Sequence, residues 1–191
     1  MDLILFQPGA ADIVSAGTGS MMQNDSPLTK AANAFTTVNK NPCLELISVH
    51  HGMKQQITTD VSNSARTSGR PVITEITCVK YVDAASVKLY DYCLRAEPLG
   101  KGPAAPTIIY LLRNSGDTIS NSITIQLRDA IISEIQFQSN PDDMPTEQFK
   151  LSFTEILWTY ATPSTEASTP GTISSGWSVI RNRPISAFSS F

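Results

Sequence analysis

Cysteine is scarce in this chain. There are three in 191 residues, Cys43, Cys78 and Cys93, an odd number without a CxxC pair. That excludes a disulfide framework and the paired spacing of a structural zinc site. It leaves three reduced thiols, expected in the interior of a protein folded in the cytoplasm. Charge is scarce too: Asp, Glu, Lys and Arg make up 16% of the residues, where soluble domains typically carry roughly 25%. The formal net charge is −3 and no run of Lys or Arg stands out, which excludes the basic face that nucleic acid demands. Histidine is limited to His50 and His51, strand neighbours that point to opposite faces and are poorly placed to share a metal. No apolar run reaches the roughly 18 residues of a membrane span. The N-terminal MDLILFQPGAADIV has no basic n-region, and its apolar run is broken by Gln7 and Pro8, so it does not read as a signal peptide. Gly17-Thr18-Gly19 lacks the Gly-Lys-Ser/Thr and the strand-loop-helix setting of a phosphate loop and reads as an ordinary loop.

What is present is apolar alternation. A hydrophobic fraction of 41% is enough for a real core, and the length fits one domain over 1–191. Ser, Thr, Asn and Gln supply the polarity that charge does not. Leu3–Phe6 is a first strand. An irregular insertion follows at about 8–42, in which Ser26 and Pro27 can open a turn or two of helix over LTKAANAF. Cys43–Gln55 is a second strand whose apolar phase switches between Leu44/Leu46 and Ile47/Val49. Thr58–Arg70 is a polar loop longer than a hairpin needs. Val72–Val82 is a β-branched strand. Asp83 is placed to cap a helix with Val87, Tyr90 and Leu94, and Leu89 and Cys93, on its apolar face, ended by Pro98 and Gly100. Thr107–Arg113, Asn121–Gln138 and Glu147–Thr162 are further strands. Asp129 interrupts the second of these. The third switches phase between Phe149/Leu151/Phe153 and Ile156/Trp158/Tyr160. Such a switch calls for a bulge or a covered outer face. A Ser/Thr/Pro loop over Pro163–Ser175 leads to a last strand, Gly176–Arg181. About seven mainly antiparallel strands around a single helix predict a barrel or sandwich with the helix packed on it.

The order of four stretches carries a resemblance. ISVHHGM (Ile47–Met53) precedes the polar loop. ITEITCVKYVDAASVKLYDYCLRAEPLG (Ile73–Gly100) joins a strand to a helix of the D-x-x-S-x-x-L type. ITIQLRDAIISEIQF (Ile123–Phe137), EQFKLSFTEILWTY (Glu147–Tyr160) and Gly176-Trp177 follow. Over roughly residues 43–181 this resembles the haemolysin-coregulated protein family, Hcp, of the type VI secretion system. The resemblance implies a mainly β fold: a two-sheet antiparallel β-barrel with one α-helix on its side. It implies that six subunits close a ring and that rings stack head to tail into a hollow tube. Sheath proteins would propel the tube, a tip spike protein would sit at its end, and small effectors would ride inside. It implies no cofactor, no metal and no catalysis, and a protein that is cytoplasmic before firing and then secreted. The long loop after the second strand is expected to reach a neighbouring subunit or ring. Lys54, Thr58, Asp60, Ser64, Arg66 and Arg70 are therefore candidate contacts, with Asp129 and Trp158 on the long strands beside them.

Other readings follow from the residues alone. A Cys43/His50/Cys78 zinc site lacks ligand spacing. A Cys93–His nucleophile needs an exposed thiolate, and Cys93 falls on the apolar helix face. Asp142-Asp143, bracketed by prolines, read as a solvated turn. Asp129 is either simply exposed or paired with Arg128 or a cation across an interface. The alternative functions are the tail tube of another contractile phage-like particle and a monomeric ligand-binding β-barrel with a closed apolar cavity. A hydrolase, resting on His50, Asp129 or Cys93, is the enzyme alternative.

Overall fold

The computed structural model describes residues 3–15, 43–60, 65–115, 118–161 and 171–189. In chain order the elements are β1 (Leu3–Gln7), α1 (Ala11–Ser15), β2 (Leu44–Leu46), β3 (Ser48–His50), β4 (Met53–Lys54), β5 (Ile57–Asp60), β6 (Ala65–Ser68), β7 (Val72–Ile73) and β8 (Ile76–Tyr81). Then come α2 (Ser86–Arg95), β9 (Thr107–Ser115), β10 (Thr118–Arg128), β11 (Ile131–Gln138), β12 (Thr146–Ser152), β13 (Glu155–Ala161), β14 (Thr172–Ser178) and β15 (Arg183–Ile185). A seven-stranded sheet runs β15-β14-β13-β10-β9-β1-β2, and a four-stranded sheet runs β11-β12-β8-β3. The named strand pairs are antiparallel.

Each long run whose phase switches or breaks is two strands that turn a corner from one sheet to the other. Leu44 and Leu46 pair with β1, while Ser48, Val49 and His50 pair with β8. Ile47, between them, donates its amide to Val79 at 2.7 Å. β10 becomes β11 at Asp129, whose φ is +48°. β12 becomes β13 at Phe153-Thr154, where the Thr154 amide bonds the Arg128 carbonyl at 3.1 Å. A bulge or a covered outer face is the expected device, but a strand that changes sheets alters the phase equally well, because its core-facing set restarts in the new sheet. Bulges do occur, at Asn121/Ile123 and Ile132/Glu134, away from these switches.

The core lies between the sheets. Phe6 and Phe149 meet edge to face at 5.5 Å, with Leu44, Ile76, Ile109, Leu127, Leu151 and Ile156 around them. Each such side chain contributes about 1.5–3 kcal/mol by leaving water. β1 is buried on both faces, since Leu3 and Leu5 join Leu112 and Cys43 in a second cluster. Gly9 and Gly100 cross closely: a Cβ on either would strike the Ala105 carbonyl and lie 2.8 Å from the other glycine's Cα.

Several expectations are corrected. The start of the irregular insertion is helical, and Ile13 of α1 is fully buried, so α2 is not alone. The proposed helix near Ser26 and the glycines at 17 and 19 lie outside the described residues. Asp83 caps the turn before α2, accepting the Ala85 amide at 2.9 Å, and is not the helix's own N-cap residue. α2 ends at left-handed Ala96, with φ 51°, before Pro98 is reached. Leu89 is buried, whereas Val87 and Leu94 are 70% and 87% exposed, so two of the five residues expected on the apolar face point to solvent. Cys43 and Cys78 are buried, but Cys93 is only half-buried. Residues 172–175, expected in a loop, belong to β14, and β15 follows the strand expected to be last.

Candidate assembly surfaces

The expected polar loop over 58–70 is a β-hairpin. β5 and β6 pair from Ile57↔Ser68 to Asp60↔Ala65. Gln56 accepts the Gly69 amide at 2.8 Å, and β4 and β7 pair below it, Met53↔Ile73 and Lys54↔Val72. Residues 53–73 thus form a two-stranded arm. At its root the Gly52 amide donates to Thr74 Oγ1 at 3.0 Å. The Thr74 hydroxyl and amide donate back to the Gly52 carbonyl at 2.8 and 2.9 Å. The side chain of Gln55 bonds the Gly69 carbonyl across the strands. Near the root the arm exposes apolar surface: Met53 is 58%, Ile57 52% and Val72 46% exposed.

The arm gathers most of the candidate contacts. Thr58 and Asp60 fall on β5, and Arg66 falls on β6 opposite Thr59. Lys54 is exposed on β4. Ser64 lies outside the described residues. Arg70 sits below the hairpin and donates Nη2 to the Val179 carbonyl at 2.9 Å, across 109 residues of sequence. The two remaining candidates lie on the body. Trp158 packs against the core, and its ring stacks on His51 at 6.2 Å. His51 also meets Phe153 edge-on at 6.0 Å. Burial pushes the His51 pKa down, partly offset by a hydrogen bond with the Thr74 backbone. Its partners Gly52, Thr74 and Trp158 place His51 at the root of the arm.

Asp129 is occupied within its own subunit. Its carboxylate accepts the Gly102 amide at 2.7 Å and the Thr154 hydroxyl at 3.5 Å, and it lies 3.2 Å from Arg128 Nε. Of the readings of Asp129, exposure or pairing, the pairing with Arg128 is present, within the subunit and at a corner, and the carboxylate is not simply exposed. Arg128 also bonds Glu155 at 3.2 Å. Glu155 in turn accepts the Ser189 amide at 2.9 Å and hydroxyl at 2.6 Å. Burial opposes ionisation of Glu155, yet the bonds from Ser189 and Arg128 hold its carboxyl below the usual range.

A third cluster had no signal in the sequence beyond a lysine in a strand. Lys80 is 1% exposed. Its ammonium donates to Glu147 at 2.8 Å, Asp83 at 2.9 Å, the Tyr81 carbonyl at 2.7 Å and Ser86 Oγ at 3.2 Å. Ser86 donates to Glu147 at 2.8 Å. This network joins β8, β12 and the first turn of α2. The other acidic groups are more ordinary. Asp142 and Asp143 are exposed in a turn, as expected. On the outer face of the four-stranded sheet Lys150 pairs with Glu134 at 2.5 Å. The described residues hold no group of three or more His, Cys, Asp or Glu suited to a metal ion. None of their helices is long and apolar enough to cross a membrane.

The class this fold defines is a mainly β, antiparallel two-sheet domain with one principal helix on its side. Solved structures share it. A type six secretion system protein superposes with a TM-score of 0.72 at 16% identity, covering 97% of this chain and 100% of that one. Hcp1 from Salmonella typhimurium gives 0.64 at 18% identity, with 96% and 99% covered. A type VI secretion system effector from Yersinia pestis gives 0.51 at 16% identity, with 92% and 99% covered. At these identities the likeness concerns the fold. No curated protein matches the chain in sequence. The family model described as "Type VI secretion system effector, Hcp" matches residues 36–160. That is more than half of the chain, and the chain belongs to the Hcp family: it is a tube component of the type VI secretion system.

Proposed function

We propose that six copies of this chain close a ring, that rings stack head to tail into a hollow tube, and that the arm over 53–73 makes the contacts between copies. The arm is the observation that carries this reading. A two-stranded hairpin is marginal in water on its own, and this one exposes Met53, Ile57 and Val72 near its root. A neighbouring subunit supplies the surface that makes such an arm worth keeping. A closed ring requires a heterologous contact between two different patches of one subunit, and an arm on one side with a receiving surface on another meets that need. Lys54, Thr58, Asp60, Ser64, Arg66 and Arg70 are the proposed contacts on the arm. Trp158 is proposed to act from its root, and Asp129 through the corner it holds.

The proposed partners of the tube, which family membership supports, are sheath proteins outside, a spike protein at the tip and small effectors in the lumen. Its role is structural, without catalysis, and it passes from the cytoplasm to the exterior when the system fires. The test is the native mass by light scattering after size exclusion, with negative-stain images of the peak. A six-fold ring with a central hole is the expected result. A monodisperse monomer at every concentration overturns the ring.

A further inference from the structure

We propose that Arg70 is a positioning residue for assembly: by bonding Val179 it holds the arm at one angle to the body before any neighbour arrives. The proposal rests on the arm being the contact element, as argued above.

Among the described residues, two attachments of different character hold the arm. The three bonds between Gly52 and Thr74, at 2.8 to 3.0 Å, all lie at one residue pair. They fix where the ribbon leaves the body at a single point, which by itself does not set its angle. The bond from Arg70 Nη2 to the Val179 carbonyl, at 2.9 Å, is a second attachment to a different part of the body, and it sets that angle. A guanidinium suits the task, since it is always charged and presents donors in a rigid fork.

The anchor itself is fixed. Val179 lies in the turn between β14 and β15, and its amide bonds the Thr154 carbonyl at 2.9 Å. The next residue, Glu155, is the buried group that clasps Ser189 and Arg128. The Arg181 amide closes the turn on Ser178 Oγ at 3.3 Å. Arg70 therefore ties the arm to a turn that is itself braced by hydrogen bonds. Holding a binding element in its bound geometry removes an ordering cost from association. The effect reaches assembly, and the subunit's own stability changes by no more than that one bond.

The test uses the full chain with Arg70→Met and Arg70→Lys, and in parallel a variant lacking residues 57–68. Spin labels at T67C and T172C, in a C93S background, report the arm's angle in the monomer. Light scattering reports the assembly rate. With Arg70→Met the distance distribution broadens and assembly slows about fivefold, the share of one exposed hydrogen bond, while the thermal midpoint falls by no more than the same bond accounts for, about 2–4 °C. Arg70→Lys keeps a donor and recovers part of both. An unchanged distance distribution with Arg70→Met overturns the proposal. Normal assembly of the variant lacking 57–68 overturns the reading of the arm itself, a separate failure that the spin labels do not share.

Discussion

Lys80 and Glu147 lie 2.8 Å apart with 1% and 0% of their side chains exposed, on adjacent strands beneath the N-terminus of α2. The helix buries Leu89 and Ser86, and Ser86 is held by the same pair. α2 is thus fastened to the sheet as much by a buried ionic network as by apolar contact.

Removing one partner of such a pair strands the other without water. Lys80→Met is expected to destabilise the subunit by about 3–5 kcal/mol, the usual cost of a buried charge left alone. The double variant Lys80→Met/Glu147→Leu recovers most of that loss, because the stranded carboxylate goes with it. Urea midpoints of both variants check this. A single variant as stable as the native chain argues against the network.

The arm predicts the opposite pattern. Gln56 and Gly69 are already hydrogen-bonded at 2.8 Å, so a two-residue glycine turn can join them in place of residues 57–68. The body loses no core residue, and its thermal midpoint is expected to move by less than about 2 °C, the shift of a fraction of a kcal/mol in a domain of this size. Assembly is expected to fail in light scattering and in electron micrographs. Tubes of normal length from this variant would sink the assignment of the arm.

Much of the body was legible in the sequence. The strands announced themselves by alternation, as Phe149/Leu151 and Ile123/Ile125/Leu127 show. Their phase switches were visible too, but a one-residue shift looks the same whether it comes from a bulge or from a corner between sheets. Only the pairing of Leu46 with β1 and Ser48 with β8 separates the two. The helix face was ambiguous because two apolar stripes overlap. Leu89 and Cys93 face the body and Val87 and Leu94 face away, and the choice is fixed by Ser86, a polar residue anchored on Glu147. The arm was hidden because the sequences of β5 and β6, ITTD and ARTS, show no apolar alternation that would mark a strand.

Asp129 gives a sharper test of a corner. Its φ of +48° lies in the left-handed region that Asn and Asp tolerate and β-branched residues do not. Its carboxylate also holds the Gly102 amide. Asp129→Asn is expected to cost under about 1 kcal/mol, since the amide oxygen keeps an acceptor. Asp129→Val is expected to cost about 2–4 kcal/mol from strain and the lost acceptor together. Melting of the isolated subunit checks this. An effect confined to the ring would show that Asp129 serves the interface and not the corner.

The last prediction concerns pH. His51 is stacked on Trp158 and edge-on to Phe153, and its buried Nε2 has no hydrogen-bond partner. Burial lowers its pKa in the folded subunit. The unfolded chain, with a histidine near its ordinary value of about 6.5, then takes up the proton more readily than the folded one. By linkage, the subunit keeps its full stability above that value. It loses stability as the pH falls through it, and the loss levels off below the folded pKa. Among the charged groups near the ring, Glu75 and Lys150 line the cleft beside His50 and His51, and Lys150 is already paired with Glu134. The cost of the proton therefore comes chiefly from burial of the His51 ring. Lower urea midpoints are expected near pH 5 than near pH 7.5. The part of that difference owed to His51 is expected to vanish in His51→Phe, which fills the same space without a titrating nitrogen. An identical pH dependence in the two proteins would place the sensitive group elsewhere and free His51 of this role.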